Sequence, residues 1–140
     1  MTRWLLDTNV LSELRKPLPQ TSVIDFVAAQ KLESLFVSSV AFAEIRFGIE
    51  MIPDPIKRNE LKDWLEQKLR PMFAERILPV SEYVIFRWRL LVEQGRKAGH
   101  TYSQPDLFLA ATSLQYGATL VTRNAADFAG TGAKLLNPWQ

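Results

Sequence analysis

The chain reads as a three-layer α/β domain, a mainly parallel sheet of about five short strands with helices on both faces. Two patterns carry that reading. Short apolar runs such as Leu35-Phe36-Val37 alternate with longer stretches whose apolar residues recur at helical spacing, and this alternation implies successive βαβ units. Ser, Thr or Asp residues stand where those helices should start and Gly where two should stop, so the punctuation agrees with the periodicity.

Trp4-Leu5-Leu6 is a strand ending at Asp7; Thr8 and Asn9 follow, and Val10, Leu11 and Leu14 give one face of a helix. Pro17 and Pro19 end it. Ser22 is placed to cap a second helix through Val23, Phe26, Val27 and Gln30. Leu35-Phe36-Val37 forms a strand, Ser38 and Ser39 offer caps, and a helix carries Glu44 from Val40 to about Met51. Pro53 and Pro55 separate it from an amphipathic helix with Leu61, Trp64, Leu65 and Leu69 on one side, which Pro71 is expected to stop. Arg76 to Val80 is a short strand, and Ser81 caps a long helix ended by Gly99. Ser103 opens the next helix, with Pro105 in its first turn and Asp106 three residues after the cap; Gly117 closes it. Thr119-Leu120-Val121 and Lys134-Leu135-Leu136 complete the strands.

The 140 residues fit one domain, 1–140, which buries roughly 68–70 per cent of its unfolded surface. Hydrophobic residues make up 47% and charged residues 23%, so a packed core rather than disorder is expected. Zero cysteines exclude a disulfide framework; with an N-terminus that enters a strand directly, they argue against secretion and for the cytoplasm. No run approaches the roughly 20 apolar residues of a membrane-spanning helix. The net charge of +2 does not by itself predict a polyanionic partner. Arg87, Arg89, Arg96, Lys97 and His100, however, lie just ahead of Asp106, either flanking a pocket there or forming a solvated helix face.

In such folds ligands bind beyond the carboxyl ends of the strands, where strand order reverses. Asp7 and Asn124 stand at two strand ends, Glu44 one helical turn after a third, and Asp106 opens a helix leading to a fourth. Each has a local reading as well: Asp7 as helix cap, Asp106 as half of a capping box with Ser103, Glu44 as a solvent-facing position. Converging carboxylates repel and raise one another's pKa values, and a divalent cation offsets this. Oxygen donors without Cys, and with the single His100, favour Mg²⁺ or Mn²⁺ over zinc. Such an ion lowers the pKa of a bound water and stabilises a leaving oxygen, which suits phosphodiester hydrolysis. An aspartyl-phosphate phosphatase needs a second Asp two residues after the first, where this chain has Asn9.

Leu5-Leu6-Asp7-Thr8-Asn9-Val10, Val40 to Gly48, Pro105-Asp106 with Leu109 to Thr112, Val121 to Asn124 and the tail Asn137-Pro138-Trp139 together resemble the PIN-domain ribonucleases, and within them the VapC toxins of the FitB-like branch. The resemblance spans essentially the whole chain in order. It implies a metal-dependent endoribonuclease of a toxin-antitoxin module, with Asp7, Glu44 and Asp106 as metal-binding acids and Thr8, Asn9 and Thr122 in support. Relatives place Asp directly after the Thr-Arg pair; this chain has Asn124, a neutral ligand, with Asp127 as the nearest carboxylate. Arg96, Lys97 and Arg123 are candidate RNA contacts. The resemblance also implies a homodimer and a small VapB- or FitA-like antitoxin whose C-terminal segment fills a groove beside the acids and often presents an arginine to them. The groove walls would be the helix from Val40 to Met51 and the helix bearing Leu61, Trp64 and Leu65. A non-catalytic RNA- or protein-binding PIN domain is the alternative.

Overall fold

In the computed structural model of residues 1–140, five strands pair only in parallel, in the order β3-β2-β1-β4-β5. They are β1 (Arg3–Leu6), β2 (Leu35–Ser38), β3 (Ile77–Leu78), β4 (Ala118–Val121) and β5 (Leu135–Leu136). Connections run outward to one side from β1 through β2 to β3, then return to place β4 on its other flank, so the switch point lies between β1 and β4. Register there pairs Leu5 with Leu120 and Leu6 with Val121.

The central strands are buried on both faces, which is why they read as continuous apolar runs. Side chains alternate, so neighbours enter different cores. Leu6, Val37 and Val121 join a cluster with Val10, Phe42 and Leu61. Leu5 and Leu120 join another with Val84, Leu107 and Phe128. The first core is roofed by α1 (Thr8–Leu14), α2 (Thr21–Ala29), α3 (Ser39–Glu50) and α4 (Pro55–Trp64), the second by α6 (Glu82–Ala98) and α7 (Gln104–Tyr116). Both Leu5 and Leu6 are fully enclosed, and truncating either to Ala would cost about 2–5 kcal/mol.

Most helix ends follow the sequence signals. Ser38, Ser81 and Ser103 accept the backbone N–H groups of Val40, Val84 and Asp106, and Gly99 and Gly117 close α6 and α7 at φ 68° and 63°. Two expectations are corrected. Pro71 does not stop its helix: after α4 the chain widens into a π-helical turn, Leu65–Leu69, with Arg70 N–H bonded to Leu65 O, and runs through Pro71 in α5 (Arg70–Met72). Widening ahead of the proline relieves the clash of its ring with the carbonyl four residues back. Ser22 is not a cap. The helix starts two residues earlier, at Thr21 after Gln20, and Ser22 Oγ is buried without a partner. The N–H of Gln20 is taken by Glu13 Oε2 at 2.8 Å, a contact across seven residues that local pattern does not reveal. No helix is long and apolar enough to cross a membrane.

Candidate active site

Asp7 follows β1 and extends its ladder by one bond, its N–H donating to Val121 O at 3.0 Å. This sets Asp7 beside Thr122, the residue after β4. Asp7 is also the N-cap of α1, with Oδ1 accepting from Thr8 N (2.6 Å) and Thr8 Oγ1 (3.2 Å). Its other oxygen, Oδ2, accepts from Thr122 Oγ1 at 2.8 Å. The local reading of Asp7 as a helix cap and its place at the switch point therefore hold together: one carboxylate oxygen serves each.

Thr122 is fully buried and tied to β5 by its N–H to Leu136 O at 3.0 Å. Its hydroxyl donates to Asp7 and accepts from Asn9 Nδ2 (3.3 Å) and Asn124 N (3.1 Å), filling the capacity of a hydroxyl. Asn9 Oδ1 in turn accepts from Arg123 N at 3.3 Å. Asp7, Thr8, Asn9, Thr122 and Asn124 are thus one network across the switch point.

Asp106 stands in the first turn of α7, half-buried, with its N–H bonded to Ser103 Oγ at 3.3 Å. Burial pushes its carboxyl above the ordinary range and the Ser103 hydroxyl opposes this; the negative charges of Asp7 and Asp127 push it further up. Asp127, exposed in the 3₁₀ turn Ala125–Phe128, therefore belongs to the same edge. Burial also raises Asp7, although the hydrogen bonds from Thr122 and Thr8 favour its charged form. All four ion pairs of the chain lie elsewhere, at Glu13, Glu50, Glu66 and Glu93, leaving Asp7, Glu44, Asp106 and Asp127 without a basic partner.

Glu44 is placed differently. It is exposed on α3, in keeping with its local reading as a solvent-facing position. With Thr8, Ser12, Arg15, Ile45 and Trp64 it lines a groove of about 370 Å³ between α1, α3 and α4. Thr8 adjoins Asp7, so groove and acid edge are continuous. No three His, Cys, Asp or Glu residues stand close enough to share one ion. The donor set fits a hydrated Mg²⁺ or Mn²⁺, which takes one or two carboxylates and keeps several waters; it does not form an all-protein cage.

The basic residues divide. Arg87 bonds Gln115 near the end of α7 remote from Asp106. Arg96, paired with Glu93, and Lys97 sit in the last turn of α6, which leads into the Asp106 helix. Arg123 lies between Thr122 and Asn124, its guanidinium 5.5 Å from the ring centre of Trp139. Sequence reasoning missed Glu13, a covered carboxylate on α1 held by Lys16 and Gln20, because nothing in its neighbourhood distinguishes it from a surface glutamate.

Residues 4–134 match the PIN domain family. The plasmid stability protein StbB of Pseudomonas syringae pv. tomato is 38% identical over 97% of this chain and 98% of its own. The VapC ribonuclease Y4jK of Sinorhizobium fredii is 33% identical over 97% of each. The toxin FitB of Neisseria gonorrhoeae is 34% identical over 96% of this chain and 97% of its own. The crystal structure of FitAcB from that organism superposes with a TM-score of 0.91 at 34% identity, covering 98% of this chain and 99% of that one.

Proposed function

Because the chain belongs to the PIN-domain family, among relatives named as VapC ribonuclease and FitB toxin, we propose that it is a Mg²⁺- or Mn²⁺-dependent endoribonuclease toxin of a toxin-antitoxin pair. The observation that carries the metal dependence is the edge itself: Asp7 and Asp106 are raised by burial, Asp106 also by its acidic neighbours, and neither has a cationic partner. Such an arrangement is relieved by a divalent ion.

In this reading Asp7 and Asp106 hold the ion, Glu44 contributes from the groove side, and Asn124 offers a neutral carbonyl with Asp127 supplying the charge that Asn124 lacks. Thr122 orients Asp7, and Thr8 and Asn9 fix the turn around it. The bound ion supplies Lewis-acid polarisation of a phosphodiester and a lowered pKa for water. Arg96, Lys97 and Arg123 are the proposed RNA contacts. The groove beside Glu44 has an apolar floor of Ile45, Ile49, Leu61 and Trp64 and suits an amphipathic antitoxin segment. Leu65, by contrast, is core. Tyr83, Phe86 and Leu90, exposed at helical spacing on α6, support a homodimer.

Cleavage of RNA by the purified chain with Mg²⁺ or Mn²⁺, its loss in EDTA, and its loss in Asp7→Asn and Asp106→Asn test this. Undiminished cleavage in both variants rules the site out. A non-catalytic binding module is the second reading, favoured by the neutral Asn124 and the lack of three grouped acids. RNA binding indifferent to EDTA, with no product on long incubation, would establish it.

A further inference from the structure

The tail Asn137-Pro138-Trp139 has no part in the chemistry described above, yet it contacts the site's central turn from two sides. Asn137 Nδ2 donates to Arg123 O at 3.1 Å, and Trp139 N–H donates back to Asn137 Oδ1 at 2.9 Å, so the asparagine is itself fixed. Pro138 is buried, and Trp139 packs against the core that holds Leu6 and Val121. The ring of Trp139 then lies under the Arg123 guanidinium, and a cation over an indole face is the most favourable of such pairings. On the other side, Arg123 N–H is held by Asn9. Glu13, whose carboxyl is held below the ordinary range first by its hydrogen bond from Lys16, also feels the charge of Arg123. An exposed arginine with its backbone bonded at both N–H and C=O, and its head resting on an aromatic ring, forfeits little side-chain freedom when it meets an anion.

We propose that Arg123 is a fixed contact for an RNA phosphate flanking the acid edge, and that Trp139, with Asn137, is a positioning residue that holds it there. This rests on the ribonuclease reading for its ligand. It assigns the tail a role in substrate binding through Arg123, without contact to reacting atoms.

The test uses the full-length chain and a short fluorescein-labelled single-stranded RNA of mixed sequence. Affinity is measured in EDTA over a salt series, and KM and kcat are measured with Mg²⁺. Arg123→Ala is expected to weaken binding about five- to tenfold and to reduce the slope of log K against log salt by about 0.7, the contribution of one phosphate on a single strand. Trp139→Leu, which keeps an apolar side chain against the core, should raise KM severalfold with kcat nearly unchanged. Trp139→Phe should restore KM, and Arg123→Ala combined with Trp139→Leu should be no worse than Arg123→Ala alone. Additive losses in the double variant, or a salt slope unmoved by Arg123→Ala, would overturn the inference while leaving the ribonuclease intact. A Trp139→Leu defect confined to kcat or to melting temperature would do the same. A wild-type chain that neither binds nor cleaves RNA overturns both.

Discussion

Thr122→Val removes one oxygen and keeps the side-chain volume, so its consequences can be worked from three contacts. Asp7 Oδ2 loses its only donor, and Asn9 Nδ2 and Asn124 N–H lose an acceptor. Asp7 is 6% exposed and cannot recover water easily; loss of a hydrogen bond to a charged group costs about 1.5–3 kcal/mol. Asn9 is half-buried and Asn124 exposed, so both can turn to solvent and add little. A total of about 2–3 kcal/mol corresponds to a fall in melting temperature of roughly 4–12 °C for a chain of this size. The loss depends on pH with a definite sign. The Thr122 bond favours ionised Asp7 and so opposes the upward pull of burial; without it the Asp7 pKa rises further. Wild type and variant therefore differ most at neutral pH, and the gap narrows in acid, where Asp7 is protonated in both. Thermal melts of the two proteins in EDTA, from pH 4.5 to 8, read this directly. A gap below about 2 °C at pH 7, or one independent of pH, would refute the account of Thr122 as the support of a buried carboxylate.

The other expectations concern charge, metal, packing and assembly. Asp106 has a raised pKa, so its ionised form opposes folding above that pKa; metal-free Asp106→Asn should melt higher than wild type at pH 7, with the gain fading as pH falls into the ordinary carboxylate range. A lower melting temperature at pH 7 contradicts this. Mg²⁺ at 100 times its Kd should stabilise wild type by about 2.7 kcal/mol, and calorimetry should find that shift abolished in Asp7→Asn, with cleavage reduced about a hundredfold or more. Gly95→Ala would set a Cβ 2.9 Å from the His100 carbonyl and 3.2 Å from the Tyr102 ring, and should cost about 1–3 kcal/mol by denaturant titration. Phe86→Arg, on the exposed stripe of α6, should convert a dimer to a monomer in sedimentation equilibrium; an unaltered dimer would place the interface on another face.

Elements announced by local chemistry were legible in the chain. Ser38, Ser81 and Ser103 and the glycines at 99 and 117 act within a turn of where they stand, and the paired-face burial of Leu5 and Leu6 is written as an uninterrupted apolar run. The place of Asp7 just past a strand followed from the alternation of strands and helices, whereas the supporting role of Thr122 came only through the family resemblance. What escaped depends on contacts and helix winding that no single residue type announces. Glu13 claims the Gln20 N–H, so α2 begins before the serine that looked like its cap. Pro71 looks like a stop, but a π turn one step earlier removes the clash that would make it one. The flanking Ala43 and Ile45 do not decide which way Glu44 faces; α3 turns Ala43, Glu44 and Phe47 to solvent, since only its Ala41, Phe42 and Ile49 face is roofed.

The hydrogen bond between Asp7 and Thr122 spans 115 positions of the chain. During synthesis at roughly 5–20 residues per second, about 6–23 s separate the appearance of its two ends. Until β4 is released and slots beside β1, Asp7 has neither its hydroxyl donor nor the bond to Val121 O. A ribosome therefore carries this chain with the surroundings of Asp7 unassembled for most of its translation, and a product that ends before Val121 lacks both bonds.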